Sequence, residues 1–205
     1  MAGVLNSSIF QKIQSAFKER CNKLIIEAYF SSISNKSVET NFDENDITAI
    51  LYNYIDNNSN RKKWQISINT ENHLYDNTAI VKKGFAAKFA RIDMRFVSFW
   101  KNQEQKYYVE AKNLKENDSS LKRRYIETGI NNFIEGGKYE DCDGLLVGFI
   151  LEGTPENCVL GINNLLKKDK RLETLNAASK IDSLDLYTSS HNGKILPHLF
   201  FDYCN

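Results

Sequence analysis

Three side chains carry the chemistry this chain suggests: Asp93 within ARIDMRFVSFW (90–100), and Glu110 and Lys112 within KYYVEAKNL (106–114). Both stretches alternate as strands do, so each divides by face. Ile92, Met94, Phe96 and Trp100 share one face of the first, with Arg91, Asp93 and Arg95 on the other. In the second, Tyr107, Val109 and Ala111 oppose Tyr108, Glu110 and Lys112. The polar link KNQEQ suits a hairpin, and a tight turn centred on Lys101 and Asn102 sets Asp93 opposite Glu110. Carboxylates held that close repel unless a cation sits between them, and oxygen-rich sites suit magnesium, with manganese as a substitute. Lys112 falls one residue pair along, about 6–7 Å away. From there its ammonium can orient a water or stabilise charge on a phosphate, an arrangement for phosphodiester hydrolysis. The bland alternative is an ion pair of Asp93 with Arg91, Arg95 or Lys112 on an exposed sheet face.

The elements that must position these residues follow from periodicity. Asn6, Ser7 and Ser8 offer caps for a helix with Ile9, Ile13, Ala16, Phe17, Cys21, Leu24, Ile25 and Ala28 at helical spacing, and Ser31–Asn41 reads as a loop. Asp43 caps a second helix, with Glu44 in its first turn and Ile47, Ile50, Leu51, Tyr54 and Ile55 inward. Asp56–Lys63 reads as a polar turn, Trp64–Thr70 as a first strand, and Lys82, Lys83 and Lys88 as a basic approach to Asp93. Ser119 or Ser120 starts a third helix with Leu121, Tyr125, Ile126, Ile130 and Phe133 inward. Lys122, Arg123 and Arg124 crowd its first turns, where the helix dipole disfavours cations, and this suits phosphate contact. Asp143–Leu151 is continuously apolar, as for a strand buried on both faces and parallel to the E-x-K strand. Thr154 and Pro155 open a fourth helix; Ile181–Tyr187 and Ile195–Tyr203 then flank an Asn192-Gly193 turn. His198, in an apolar strand, reads as structural.

The order Asp on one strand and Glu-Ala-Lys on the next resembles the core of the PD-(D/E)xK nucleases, the restriction-endonuclease-like superfamily. The resemblance implies an α/β fold, a restriction-endonuclease-like sandwich with a central mixed β-sheet flanked by helices. It implies that Asp93, Glu110 and the Ala111 carbonyl hold a magnesium ion, and that Lys112 assists the attacking water. A Glu from the first core helix usually joins them, which implies Glu44, with Asp43 and Asp46 competing for that role. Ile92 stands where the motif has Pro. Many nucleases of the superfamily carry a Gln and a Tyr four residues apart on the next helix; Tyr125 matches the Tyr, while Leu121 stands at the Gln position. The motif spans Glu44 to Tyr139, and the remainder agrees in element order alone. The implied activity is that of a DNA endonuclease of restriction or phage-defence type, with DNA ahead of RNA as partner. Arg91, Arg95, Arg123, Arg124, Lys88 and Tyr125 are the implied nucleic-acid contacts. Cutting a duplex needs two sites, hence a homodimer or a partner subunit. The rival readings are a weak or inactive nucleic-acid-binding subunit of a larger complex, and an interaction protein whose charged face is an ion-pair network.

Composition bounds these readings. At 205 residues, 41% of them hydrophobic, the expectation is one nuclease domain. Within it, residues 1–40 form an N-terminal helix and loop, 41–151 the catalytic core, and 152–205 a C-terminal helix and hairpin. A net charge of +1 gives no bulk attraction to nucleic acid, so any contact must be local. Cys21, Cys142, Cys158 and Cys204 form no C-x-x-C pair, and His73, His191 and His198 have no zinc spacing; the expected compartment is cytoplasmic, with reduced thiols. No stretch is a signal peptide or long enough to span a membrane.

Overall fold

The computed structural model describes residues 7–73, 91–101, 103–134 and 136–204. Helices α1 (Ser7–Ser34), α2 (Glu44–Asn57) and α3 (Ser59–Lys63) come first. Strands β1 (Ser67–His73), β2 (Arg91–Trp100) and β3 (Gln103–Lys115) follow. Next is a helical segment in three parts, α4 (Ser119–Arg124), a π-helical turn (Tyr125–Ile130) and α5 (Asn131–Phe133). Strand β4 (Gly144–Glu152), helix α6 (Pro155–Lys168) and strands β5 (Asn176–Ile181), β6 (Leu184–His191) and β7 (Lys194–Asp202) complete the order.

Among the described residues the strands form one seven-stranded sheet in the order β1-β2-β3-β4-β7-β6-β5. The β3–β4 and β4–β7 ladders are parallel and the other four antiparallel, so the sheet is mixed. Each face carries its own apolar layer. On one, Phe17, Leu24 and Ile25 of α1 and Ile47, Leu51 and Ile55 of α2 meet Phe96, Val109, Val147 and Phe149. On the other, Tyr125, Ile126 and Phe133 join Ile162 and Leu166 of α6 over Leu146, Ile150 and Phe200. The chain is thus an α/β sandwich with a central mixed sheet, as its periodicities imply. Gly148 lets the second layer close down, since a Cβ there would stand 2.6 Å from Phe200 and 2.7 Å from Leu114.

Several boundaries differ from the sequence reading. Helix α1 runs through the Ser-rich stretch to Ser34, because Tyr29 stacks on Phe201 at 4.4 Å and Ser32 meets the Tyr203 hydroxyl at 3.2 Å. The serines bond back to their own helix, Ser31 Oγ to the Glu27 carbonyl and Ser32 Oγ to that of Tyr29. The polar turn after α2 contains α3, pinned by Arg61, which donates to the carbonyls of Asp56 and Ile66 and so delays β1 to Ser67. Strand β5 has no counterpart in the reading. Its residues NAASKI lie exposed at the sheet edge, so no alternation marks them, and Asp182 and Ser183 turn the chain into β6 with positive φ. The helix after β3 is capped by Asp118, which accepts from Ser120 and Leu121, in place of Ser119 or Ser120.

No helix among the described residues is long and apolar enough to cross a membrane.

Candidate functional site

The β2–β3 register fixes the site. Arg95 pairs with Tyr108, and Met94 with Val109, so the next step in the same register sets Asp93 against Glu110 across a turn at Lys101. The regular ladder ends at Met94 and Val109. The Asp93 carboxylate accepts the Ala111 N–H at 2.6 Å, taking an amide that a strand carbonyl would otherwise bind. Beyond it the alternation breaks: Ile92, expected beside Met94 and Phe96, packs in the second apolar layer with Leu114 and Tyr125.

Glu110 and Lys112 share a face of β3, with side chains only 7% and 8% exposed. The Lys112 ammonium donates to Glu110 Oε1 and to the Ala111 carbonyl, both at 2.7 Å. The second carboxylate oxygen of Glu110, Oε2, is buried without a hydrogen-bond partner. Burial, then the neighbouring Asp93, pushes the Glu110 carboxyl up to about 7. Asp93 is raised as well; burial is the largest cause, partly offset by Lys112 and the Ala111 amide and reinforced by Glu44 and Glu71. Burial alone would lower Lys112, yet Glu110, Asp93 and Glu44 outweigh it and leave the ammonium raised.

Glu44 arrives from the first turn of α2, where Asp43 caps the helix and shares a capping box with Asp46. Its Oε2 accepts the Asn113 N–H at 3.0 Å and its Oε1 accepts from Arg124 at 2.6 Å. Glu44 therefore borders the Lys112 cluster while its own oxygens are engaged. Asp43 and Asp46 are engaged in capping each other's backbone, and of the three acids Glu44 is the one that bonds to β3. A cleft of about 460 Å³ opens beside Glu44, walled by Phe42, Asn113, Lys115 and Leu121.

The expected nucleic-acid contacts divide. Arg95 is half-buried with its Nε unpartnered, and Arg91 is exposed, 3.8 Å from Glu71. Arg123 is paired with Asp169 and the exposed Arg124 with Glu44. Lys88 lies outside the described residues. Tyr125 requires a correction: it is fully buried and its hydroxyl meets His198 Nδ1 at 2.9 Å, so it cannot touch a nucleic acid. It opens the π-helical turn and belongs to the core. His198 bonds Ser189 Oγ at 2.8 Å, and burial lowers its pKa to about 3, which fits the structural role expected of it.

Two neighbours of the acids escaped the sequence reading. Tyr139 is buried against the pair and donates its hydroxyl to the Arg91 carbonyl; burial, then Glu110 and Asp93, raises its pKa. Glu71, near the end of β1, adds negative charge near Asp93. Tyr139 follows the Gly136-Gly137 pair, and nothing in the local sequence marks what the tyrosine meets.

Whether a divalent ion fits is answered by the donors themselves. No three His, Cys, Asp or Glu side chains among the described residues form a ready cage. The available donors are two carboxylates and one backbone carbonyl, all oxygen, with one carboxylate oxygen orphaned in the interior. Lys112 already places a positive charge on two of the oxygens the motif assigns to the ion. This hard-oxygen set fits magnesium or manganese. Fold and geometry together define a class of site, a carboxylate pair with an ammonium on one hairpin of a mixed α/β sandwich. Comparison with family models, with curated proteins and with solved structures finds no match to this chain.

Proposed function

We propose that the chain is a divalent-metal-dependent nuclease that hydrolyses phosphodiester bonds, DNA ahead of RNA. The observation carrying this reading is a buried Glu110 beside a half-buried Asp93 on the adjacent strand, with the Lys112 ammonium between Glu110 and the Ala111 carbonyl. Burying an acid and a base, with a second acid half-buried beside them, costs stability that a purely structural site could avoid with apolar residues of similar volume. Asp93, Glu110 and the Ala111 carbonyl would hold the ion, with Glu44 at its border. When bound, the ion supplies Lewis-acid stabilisation of charge on the phosphate. Lys112 then turns from Glu110 toward the substrate, holds the attacking water by one N–H and stabilises negative charge on phosphate with another. Arg95 and Arg91 supply cations for the flanking backbone.

Incubation of the protein with plasmid, linear duplex, single strands and RNA, with and without magnesium, tests the reading. Cleavage that requires magnesium and vanishes in Asp93→Ala and Lys112→Ala, each still folded by circular dichroism, is the expected result. A folded Lys112→Ala protein that cleaves at the wild-type rate would remove the lysine from the mechanism. Nucleic-acid retention on filters without cleavage under any condition would favour the non-catalytic binding subunit. A phage-defence role belongs to this proposal as its biological setting, and plaque counts on cells expressing wild type or Asp93→Ala test it.

A further inference from the structure

A second site lies at the other end of the same hairpin. Between α1 and the tip of β2–β3 is a cavity of about 310 Å³, walled by Phe17, Trp64, Phe99 and Trp100, with Arg20 and Gln105 among its lining. Gln105 is 6% exposed and its Nε2 is buried without a hydrogen-bond partner. An orphaned amide in an apolar wall costs free energy that an incoming acceptor would recover. Both indoles carry a cation: the Arg20 guanidinium lies 5.6 Å from the Trp64 ring and the Lys101 ammonium 4.9 Å from the Trp100 ring. Two acids adjoin the lining in sequence: Glu104 is paired with Lys106 at 2.7 Å, and Glu19 accepts from Ser15 Oγ at 3.2 Å. Phe99, 69% exposed, is a large apolar ring left at the rim.

We infer that this cavity binds a nucleobase together with its phosphate. The fit is chemical at three points: flat aromatic walls for a π-face, a buried amide for a hydrogen-bonding edge, and two exposed cations for an anion. A purely hydrocarbon ligand would leave the amide unmet, and a neutral peptide side chain would leave the cations idle. Gln105 lies seven residues before Lys112 on β3, about 23 Å away at strand rise, so this is a separate site. The same chemistry reaches it either as a free nucleotide or as one base of a single strand.

Trp64 and Trp100 are the chain's two tryptophans, so fluorescence excited at the red edge, where the tyrosines do not absorb, reports on this cavity. Wild-type protein in EDTA, where no metal-dependent turnover occurs, is titrated with AMP, with adenosine, with ribose 5-phosphate and with a short single-stranded oligonucleotide, N-acetyltryptophanamide correcting for absorption. Saturable quenching by AMP assigns the site to a free nucleotide. Saturation by the oligonucleotide without AMP assigns it to a base within a strand. Gln105→Met, close in volume, should weaken the saturating ligand about tenfold. Arg20→Ala, an exposed change, should weaken AMP while leaving adenosine unchanged. Absence of saturable quenching by every ligand overturns the inference, as does ribose 5-phosphate matching AMP, or a folded Gln105→Met protein that binds as wild type. Because binding is scored without metal, the outcome is independent of whether the Asp93 site hydrolyses anything.

Discussion

At the scale of the residue, the Glu110 carboxyl gives the cleanest handle. A glutamate in an unfolded chain ionises near about 4.3, whereas in the fold this one is pushed up to about 7. Between those values the folded protein holds a proton that the unfolded chain has released. Metal-free stability must therefore fall as pH rises through that window, by on the order of 3 kcal/mol. Asp93 is raised too and adds in the same direction. Lys112, also raised, contributes stability present below the unfolded lysine value and lost only at higher pH, outside the window. Urea unfolding in EDTA at pH 5 and pH 8 should show the loss in wild type and a markedly smaller one in Glu110→Gln; equal losses would mean the carboxyl is not raised. Lys112 offers the complementary test. Its ammonium competes with an ion for Glu110 Oε1 and the Ala111 carbonyl. Lys112→Met should thus bind manganese about tenfold tighter by calorimetry while cleaving about 10²–10³-fold slower. Weaker manganese binding in that variant would show that the ammonium supports the ion rather than competing with it.

At the scale of the element, α2 shows how secondary structure delivers an acid to a site. Asp43 accepts the N–H groups of Asn45 and Asp46 at 2.8 and 2.9 Å, and Asp46 returns a bond to the Asp43 N–H. That box fixes the first turn, and with it the departure of Glu44 toward Asn113 and Arg124. Asp43→Ala should cost about 1 kcal/mol in thermal or chemical unfolding. It should also loosen Glu44 enough to weaken manganese binding, whereas a stability loss with unchanged manganese affinity would leave Glu44 without a part in the site. Elements like this were legible because the cap and the Ile47, Leu51, Ile55 stripe are local signals. The same holds for the hairpin, where period-two alternation and a five-residue link were enough to pair Asp93 with Glu110. What stayed illegible depends on partners distant in sequence. Helix α1 runs past Ala28 because of Phe201 and Tyr203, and Tyr139 reaches the acids from beyond a glycine turn. Tyr125 has the right type and spacing for a phosphate contact, and only the packing of the second layer around His198 shows it turned inward.

At the scale of the whole molecule, the balance of charge sets how a nucleic acid could be held. A chain of net charge +1 has little long-range field, so association rests on the few cations that stand near the Asp93 site. Arg123 and Arg124 are held at short range by Asp169 and Glu44, and Arg91 more loosely by Glu71 at 3.8 Å; on the proposed reading Arg91, Arg95 and Lys115 are the flanking cations that meet phosphate there. Three phosphate contacts release roughly three counterions. The logarithm of the binding constant for duplex DNA, measured in EDTA against the logarithm of salt concentration, should then fall with a slope of about −2.7. Arg91→Ala should flatten that slope by about 0.9, with little dependence on sequence, because a phosphate contact positions without reading bases. A slope as steep as about −5 in the wild type would place further lysines on the DNA, with Lys82, Lys83 and Lys88 as the first to replace. A slope near zero would mean that the charged face of the hairpin does not meet a phosphate backbone, leaving Asp93, Glu110 and Lys112 as an ion-pair network.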